Sequence, residues 1–332
     1  MSRDSEDSQN LLLLFGSRAT EEATAESDHD LLRIVHVEPE RKIQELPASI
    51  SGLKRVSLDE LPYNIVKEGL IIGAPDILII FTQCQVLEGY DIFQKLLWLD
   101  QGITSLSVSL SLQKAQKTIN FCEELLYDKF GRMAAHQLSV AWFWVLATAR
   151  FAVGLIPKSK KQLFHLGEEE FTISERKMLE YSSYASADLY EPPHEEVQEY
   201  LFKVKENLRV VIKTTYENYL NKANKFLEKT HDLFSRGDYD LTILAAHATI
   251  ELVVKGFLLK KVQKAPLYLL QALEEKELHA ALEESLTKHH FNELREINKK
   301  RNQVYHTTYF ANVDDAKRSI TLAETLLNIL GS

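Results

Sequence analysis

The sequence predicts an α+β chain, with a small mixed sheet near the N-terminus followed by all-α helical bundles. Three observations predict it. The strand-like runs "LLLLF", "DLLRIVHV", "LKRVSL" and "ILIIF" all fall between residue 11 and about residue 104, punctuated by Gly16, Pro39, Pro47, Gly52, Pro62 and Gly73. Beyond Gln101 the apolar residues recur at helical spacing almost continuously from Ser107 to Leu155, with a break near Gly131. "YEPPHEE", Tyr190 to Glu196, then interrupts the chain, and Pro192 and Pro193 prepare a new helix start. The expected domains are 1–104, 105–213 and 214–332.

The first strand, Leu11 to Phe15, ends on Gly16, where the backbone can approach another group closely, and Ser17 brings a hydroxyl and an amide near a helix N-terminus. Such a turn suits a phosphate. On the next strand Asp28 and Asp30 are separated by one residue, so both carboxylates face one side of the sheet. Unpaired, they repel; a divalent cation turns that repulsion into ligation, and Mg²⁺ takes one or two carboxylates together with substrate phosphates. A surface hairpin with solvated acids has the same local spacing. Further on, "TISERKMLEYSSYA" is a short helix. From Glu195 to Ser235 helical spacing persists for about forty residues. This is one long helix or two nearly collinear ones, with Thr214-Thr215 as the place for a hinge. After Gly237 come "DLTILAAHATIELVVKGFLLKK", "PLYLLQALEEKE", "HFNELREINKKRNQVYH" and "VDDAKRSITLAETLLNIL", the pattern of an antiparallel bundle.

The net charge of −9 and a pI near 5.7 argue against a protein that coats nucleic acid and confine any such contact to a local basic site. Cys84 and Cys122 are too few for a disulfide framework or a thiolate cluster, and the opening "MSRDSEDSQN" is acidic, so a reducing cytoplasm is expected. The apolar stretch Ala134 to Ile156 has the length of a membrane span but carries His136, Gln137, Ser139 and Arg150; a buried helix, and no membrane partner, is expected.

"GSRA", a spacer and "SDHDLL" resemble the minimal nucleotidyltransferase family of the polymerase-β-like fold. The resemblance covers about the first hundred residues and extends through "LDELPYNIVKEGLIIG". It implies transfer of AMP from ATP, with Gly16, Ser17 and Arg18 at the phosphates and Asp28 and Asp30 on Mg²⁺ or Mn²⁺. That family also carries a third acid as general base. Here Lys54 or Arg55 stands about where it belongs, and Asp59 and Glu60, just beyond the expected strand, are the candidates. Without a base, a nucleotide-binding or sensing protein remains.

Near the C-terminus "RNQVYH" places Arg301 and His306 within about one and a half helical turns; Asn302 and His306 share a face, as do Arg301 and Tyr305. A fixed cation beside an imidazole suits phosphodiester cleavage. With "RGDYDLTILAAHATIELVVKGFLL" before it and "DDAKRSITLAETLLNIL" after it, the segment resembles the HEPN family of four-helix bundles, over about Tyr216 to Leu330. The resemblance implies metal-independent RNA cleavage by Arg301 and His306, with Asn302, Glu251 and Lys255 in support, and a homodimer. It also implies a toxin–antitoxin-like pairing in which a nucleotidyltransferase adds AMP to a tyrosine near the motif. Tyr309, one residue later than the usual His-x-Tyr order, and Tyr305 are the candidate acceptors.

Residues 105–213 carry no chemical motif, and their helices resemble the second domain of kanamycin-type nucleotidyltransferases in arrangement alone. Trp98, Trp142 and Trp144 are expected in the core, and His289-His290 at the surface.

Overall fold

A computed structural model describes residues 11–19, 29–35, 56–100, 102–157, 159–184, 191–306 and 310–331. It has a four-stranded sheet of order β3-β2-β1-β4, made of β1 (Leu11–Phe15), β2 (His29–Val35), β3 (Val56–Pro62) and β4 (Gln85–Glu88). β1 runs antiparallel to β2 and β4, whereas β2 and β3 are parallel, so the sheet is mixed as the sequence predicts.

Alternation along β1 and β2 sends Leu11, Leu13, Leu32 and Ile34 to one face. There they meet α1 (Tyr63–Ile72), α2 (Pro75–Gln83) and α3 (Tyr90–Leu97) through Val66, Leu70, Ile77, Phe81, Phe93 and Leu96. Burying each of these side chains contributes about 1.5–3 kcal/mol. Two expectations change here. "ILIIF" is not a strand but the body of α2: Pro75 presets the first helical turn, Asp76 favours its N-terminal dipole, and burial of Ile77, Leu78 and Phe81 follows helical spacing. A five-residue apolar run leaves helix and strand undecided by periodicity. Asp59 and Glu60 lie inside β3, not beyond it.

Several of the helices that follow begin on side-chain caps. α4 (Ser105–Tyr127) starts with a Thr104–Ser107 capping box, α6 (Lys160–Phe171) with Ser159 accepting from the Gln162 amide, and α7 (Glu175–Ser183) with Ser174. α5 (Gly131–Ala152) is the buried helix expected of the Ala134–Ile156 stretch. α6 fits against it because Gly167 has no side chain; a Cβ there would stand 2.8 Å from Trp142 and 2.9 Å from Leu146. α6 itself has no counterpart among the expected elements.

α8 (His194–Ser235) is one unbroken helix of 42 residues, continuous through Thr214-Thr215. Its start is tied down by the Tyr181 hydroxyl, which donates to Glu196 at 2.6 Å. α9 (Tyr239–Val262), α10 (Leu269–Glu274), α11 (Lys276–Glu283), α12 (Lys288–His306) and α13 (Val313–Leu330) complete the chain. Among the described residues α9 is the one helix long and apolar enough to cross a membrane, and 72% of its apolar window is buried by its neighbours, chiefly α13 and α12.

The chain divides into two compact units, residues 1–111 with 118–200, and residues 112–117 with 201–332. The sheet and α5–α7 belong to the first unit. In the second, Gln113 and Gln116 donate to the carbonyls of Ala265 and Gln263 at 3.4 and 2.6 Å.

Candidate functional site

In the first unit the sheet builds a turn and an acid side by side. Phe15 pairs with Asp30 across β1 and β2, and the chain then tightens into a single 3₁₀ turn, Gly16–Arg18, closed by the Ala19 amide on the Gly16 carbonyl at 3.1 Å. Gly16 has φ +72°, a conformation that costs any other L-residue energy. A Cβ on Gly16 would collide with Asp30 Oδ2, so glycine is what lets this carboxylate oxygen reach the turn. Asp28 lies outside the described residues.

The parallel register of β2 and β3 separates the two candidate bases. Glu60 stands opposite Arg33 on the other face of the sheet and is bound to its guanidinium at 2.9 Å; Arg33 is 4% exposed. Asp59 pairs with Leu32 and so shares the Asp30 face, two residues beyond Ser57, the partner of Asp30. That offset is about 6.6 Å along the strand, at roughly 3.3 Å per residue.

Beside Gly16 opens a cavity of about 230 Å³. Phe15 and Gly16 form one wall, Asp76, Ile79 and Ile80 of α2 another, and Phe143, Trp144 and Lys160 close it. Gln83 fixes the approach to α6 by donating to the Pro157 carbonyl at 2.5 Å. Much of Lys160 is open to solvent, yet the groups packed round its ammonium lower its pKa, while Asp30 opposes that shift. Trp144, expected in the core, is half-buried and faces this cavity, and Trp98 is 86% exposed on the outside of the fold. Trp142 is fully buried, as expected. Neither Lys160 nor Trp144 carries a local motif; they join the site from helices that place them 144 and 128 residues downstream of Gly16.

Among the described residues no three His, Cys, Asp or Glu side chains gather into a metal cage. A Mg²⁺ shared with substrate phosphates needs fewer protein ligands. Asp30 Oδ2 takes the space that a Cβ would fill at Gly16, and its donor chemistry fits such a cation.

In the second unit α12 ends in the Arg301–His306 segment. Arg301 Nη1 donates to Asn302 Oδ1 at 2.9 Å, and its guanidinium lies 5.0 Å from the centre of the Tyr305 ring, which is 65% exposed. The His306 backbone is helical; Tyr309 is outside the described residues. Lys255 of α9 is fully buried and pairs with Glu251 at 2.7 Å, donating also to the Leu267 carbonyl at 2.9 Å. Burial pulls its pKa down and Glu251 opposes.

Residues 216–332 match the family model of the HEPN domain. The end of the chain is an HEPN domain. Its α9 and α12 are joined by a pair that no motif announces: His247 Nε2 lies 3.2 Å from Asn298 Oδ1, one turn before Arg301. His247 is 7% exposed, and burial holds its pKa below the usual value, against the pull of Glu251. His289 is exposed, as expected, while His290 accepts from the Thr287 amide at 3.2 Å.

Among solved structures the chain is similar to a nucleotidyltransferase-like protein from Exiguobacterium sibiricum. The identity is 16%, with 67% of this chain and 75% of that one covered, at a TM-score of 0.32. No curated protein matches the chain in sequence.

Proposed function

We propose that the first unit is a metal-dependent nucleotidyltransferase transferring AMP from ATP, paired in one chain with the HEPN domain in a toxin–antitoxin-like arrangement in the cytoplasm. The observation that supports it most is the Gly16 turn, whose missing side chain admits the Asp30 carboxylate next to a cavity that also holds Lys160. In this reading the 3₁₀ turn with Ser17 and Arg18 holds phosphate oxygens, and Lys160 adds a cation on the cavity side. Asp30 and Asp28 would hold Mg²⁺ or Mn²⁺, which when bound neutralises charge on the phosphates. An acceptor hydroxyl oxygen bonds to the α-phosphorus as the bond to the bridging β-oxygen breaks, and pyrophosphate leaves. Asp59, on the Asp30 face, takes the hydroxyl proton; Glu60 is held by Arg33 on the other face.

α-Labelled ATP incubated with the chain, Mg²⁺ and RNA tests this: label becomes attached to protein or RNA with release of pyrophosphate. Asp59→Asn keeps ATP binding and loses turnover. Equal turnover in Asp30→Ala would overturn the proposal.

The HEPN match favours a second activity, metal-independent RNA cleavage by Arg301 and His306, carried out by a homodimer and restrained by AMP added to Tyr305 or Tyr309. The Arg301–Asn302–Tyr305 surface supports it: Asn302 and Tyr305 are exposed, and the half-buried Arg301 brings a permanent cation beside them. RNA cleavage that persists in His306→Ala would remove this reading.

A further inference from the structure

We infer that the cavity beside Gly16 is a nucleobase subsite in which Trp144 stacks on the base of the bound nucleotide. This rests on the triphosphate reading of the Gly16 turn and adds to it the part of the substrate that gives affinity and selectivity.

The cavity has two kinds of lining. Gly16 and Lys160 are one, the first against Asp30 and the second under its electrostatic pull. Ile79, Ile80, Phe143 and Trp144 are the other, and the Asp76 carboxylate also lines the cavity, one turn before Ile79 and Ile80 on α2. A polyanion does not enter apolar walls beside a carboxylate, because it loses hydration and meets like charge. A flat, uncharged ring does. Its volume of about 230 Å³ is below the range of about 300–1,000 Å³ for pockets that enclose drug-sized ligands, which suits a base with the phosphates left at the mouth.

Trp142 and Trp144 show what a core position and a ligand position look like on one helix. Trp142 is fully buried and packed on Gly167 of α6. Trp144 stays half-buried with the cavity before it, and Phe143 stands at 81° to it, ring centres 5.1 Å apart. The pair offers an incoming base one ring from each of two nearly perpendicular directions.

Sheet order decides between base and acceptor. In β3-β2-β1-β4 the cavity opens at the end of β1, and α2, which lines it, leads directly into β4. Asp59, the proposed base, is on β3 at the opposite edge. An attacking hydroxyl belongs on the β3 side, so the β1 side is left for the nucleoside.

The test measures affinity of the full chain for Mg²⁺–ATP and for Mg²⁺ with inorganic tripolyphosphate, by calorimetry, in the unaltered protein, Trp144→Ala, Trp144→Phe and Asp30→Ala. Trp144→Ala weakens ATP about tenfold or more, the effect of losing one base–aromatic stack, and leaves tripolyphosphate affinity unchanged. Trp144→Phe keeps most of the ATP affinity, and Asp30→Ala weakens both ligands. ATP affinity within twofold of normal in Trp144→Ala, or equal loss of both ligands in a variant that still melts normally, overturns the subsite and leaves the triphosphate reading standing. Failure of the unaltered chain to bind either ligand overturns both.

Discussion

Replacing Gly16 with alanine separates the two reasons for a glycine at this turn. Gly16 has φ +72°, and an L-residue held there costs about 1–2 kcal/mol. Gly154 has φ +84° with nothing within 4 Å of an added Cβ, so Gly154→Ala measures that backbone cost alone. At Gly16 the new methyl also meets the Asp30 carboxylate, which must leave its rotamer at about 0.5–1.5 kcal/mol. The sum for Gly16→Ala is therefore about 1.5–3.5 kcal/mol. The double variant Gly16→Ala with Asp30→Ala returns towards the Gly154→Ala cost, since the clash has no partner. Urea unfolding followed by tryptophan fluorescence is the assay, because Trp98, Trp142 and Trp144, the three tryptophans of the chain, all lie in the first unit. Gly16→Ala also loses Mg²⁺–ATP affinity, whereas Gly154→Ala keeps it. Equal cost for the two single variants, with equal ATP affinity, would refute the close approach of turn and carboxylate.

In the HEPN domain, Glu251→Gln leaves the buried Lys255 charge without its counter-ion and lowers stability by about 3–5 kcal/mol, whereas the double change Glu251→Gln with Lys255→Met costs less; chemical denaturation compares them. His247 has a folded pKa below its ordinary 6.5, so the unfolded chain binds more protons in the window between the two values, and stability falls as pH drops below about 6.5. His247→Gln flattens that fall without removing it, since His136 is shifted the same way by burial; denaturation at pH 7.5 and 5.5 reads the difference. Light scattering at micromolar concentration gives a dimer for the full chain, and a monomer there would remove the paired RNA cleft. Pre-incubation with ATP adds the mass of AMP to the peptide holding Tyr305 and Tyr309 and lowers RNA cleavage; mass spectrometry without an adduct rejects self-modification.

Much of the fold was legible from local pattern. Leu11–Phe15 and the run through Val35 announced β1 and β2 because apolar residues on a two-sided sheet need no distant information, and the HEPN helices announced themselves by length and periodicity. "ILIIF" did not, since five apolar residues fit either element and the decision lay in Pro75 and in packing against Phe93. The site divided along the same line. Gly16 and Asp30 are visible as a spacing, but the distinction between Asp59 and Glu60 needed the β2–β3 register and the Arg33 pair. Lys160 and Trp144 were illegible because only tertiary packing of α5 and α6 brings them to the turn. Likewise His247 gains its meaning from Asn298, 51 residues later.

Calorimetric titration of Mg²⁺–ATP into the full chain and into its Asp28→Ala, Asp30→Ala double variant tests the central claim most directly. The turn-and-carboxylate site predicts saturable binding that needs the cation, is lost in the double variant and is untouched in His306→Ala. Equal affinity in the double variant, or binding indifferent to Mg²⁺, would contradict it.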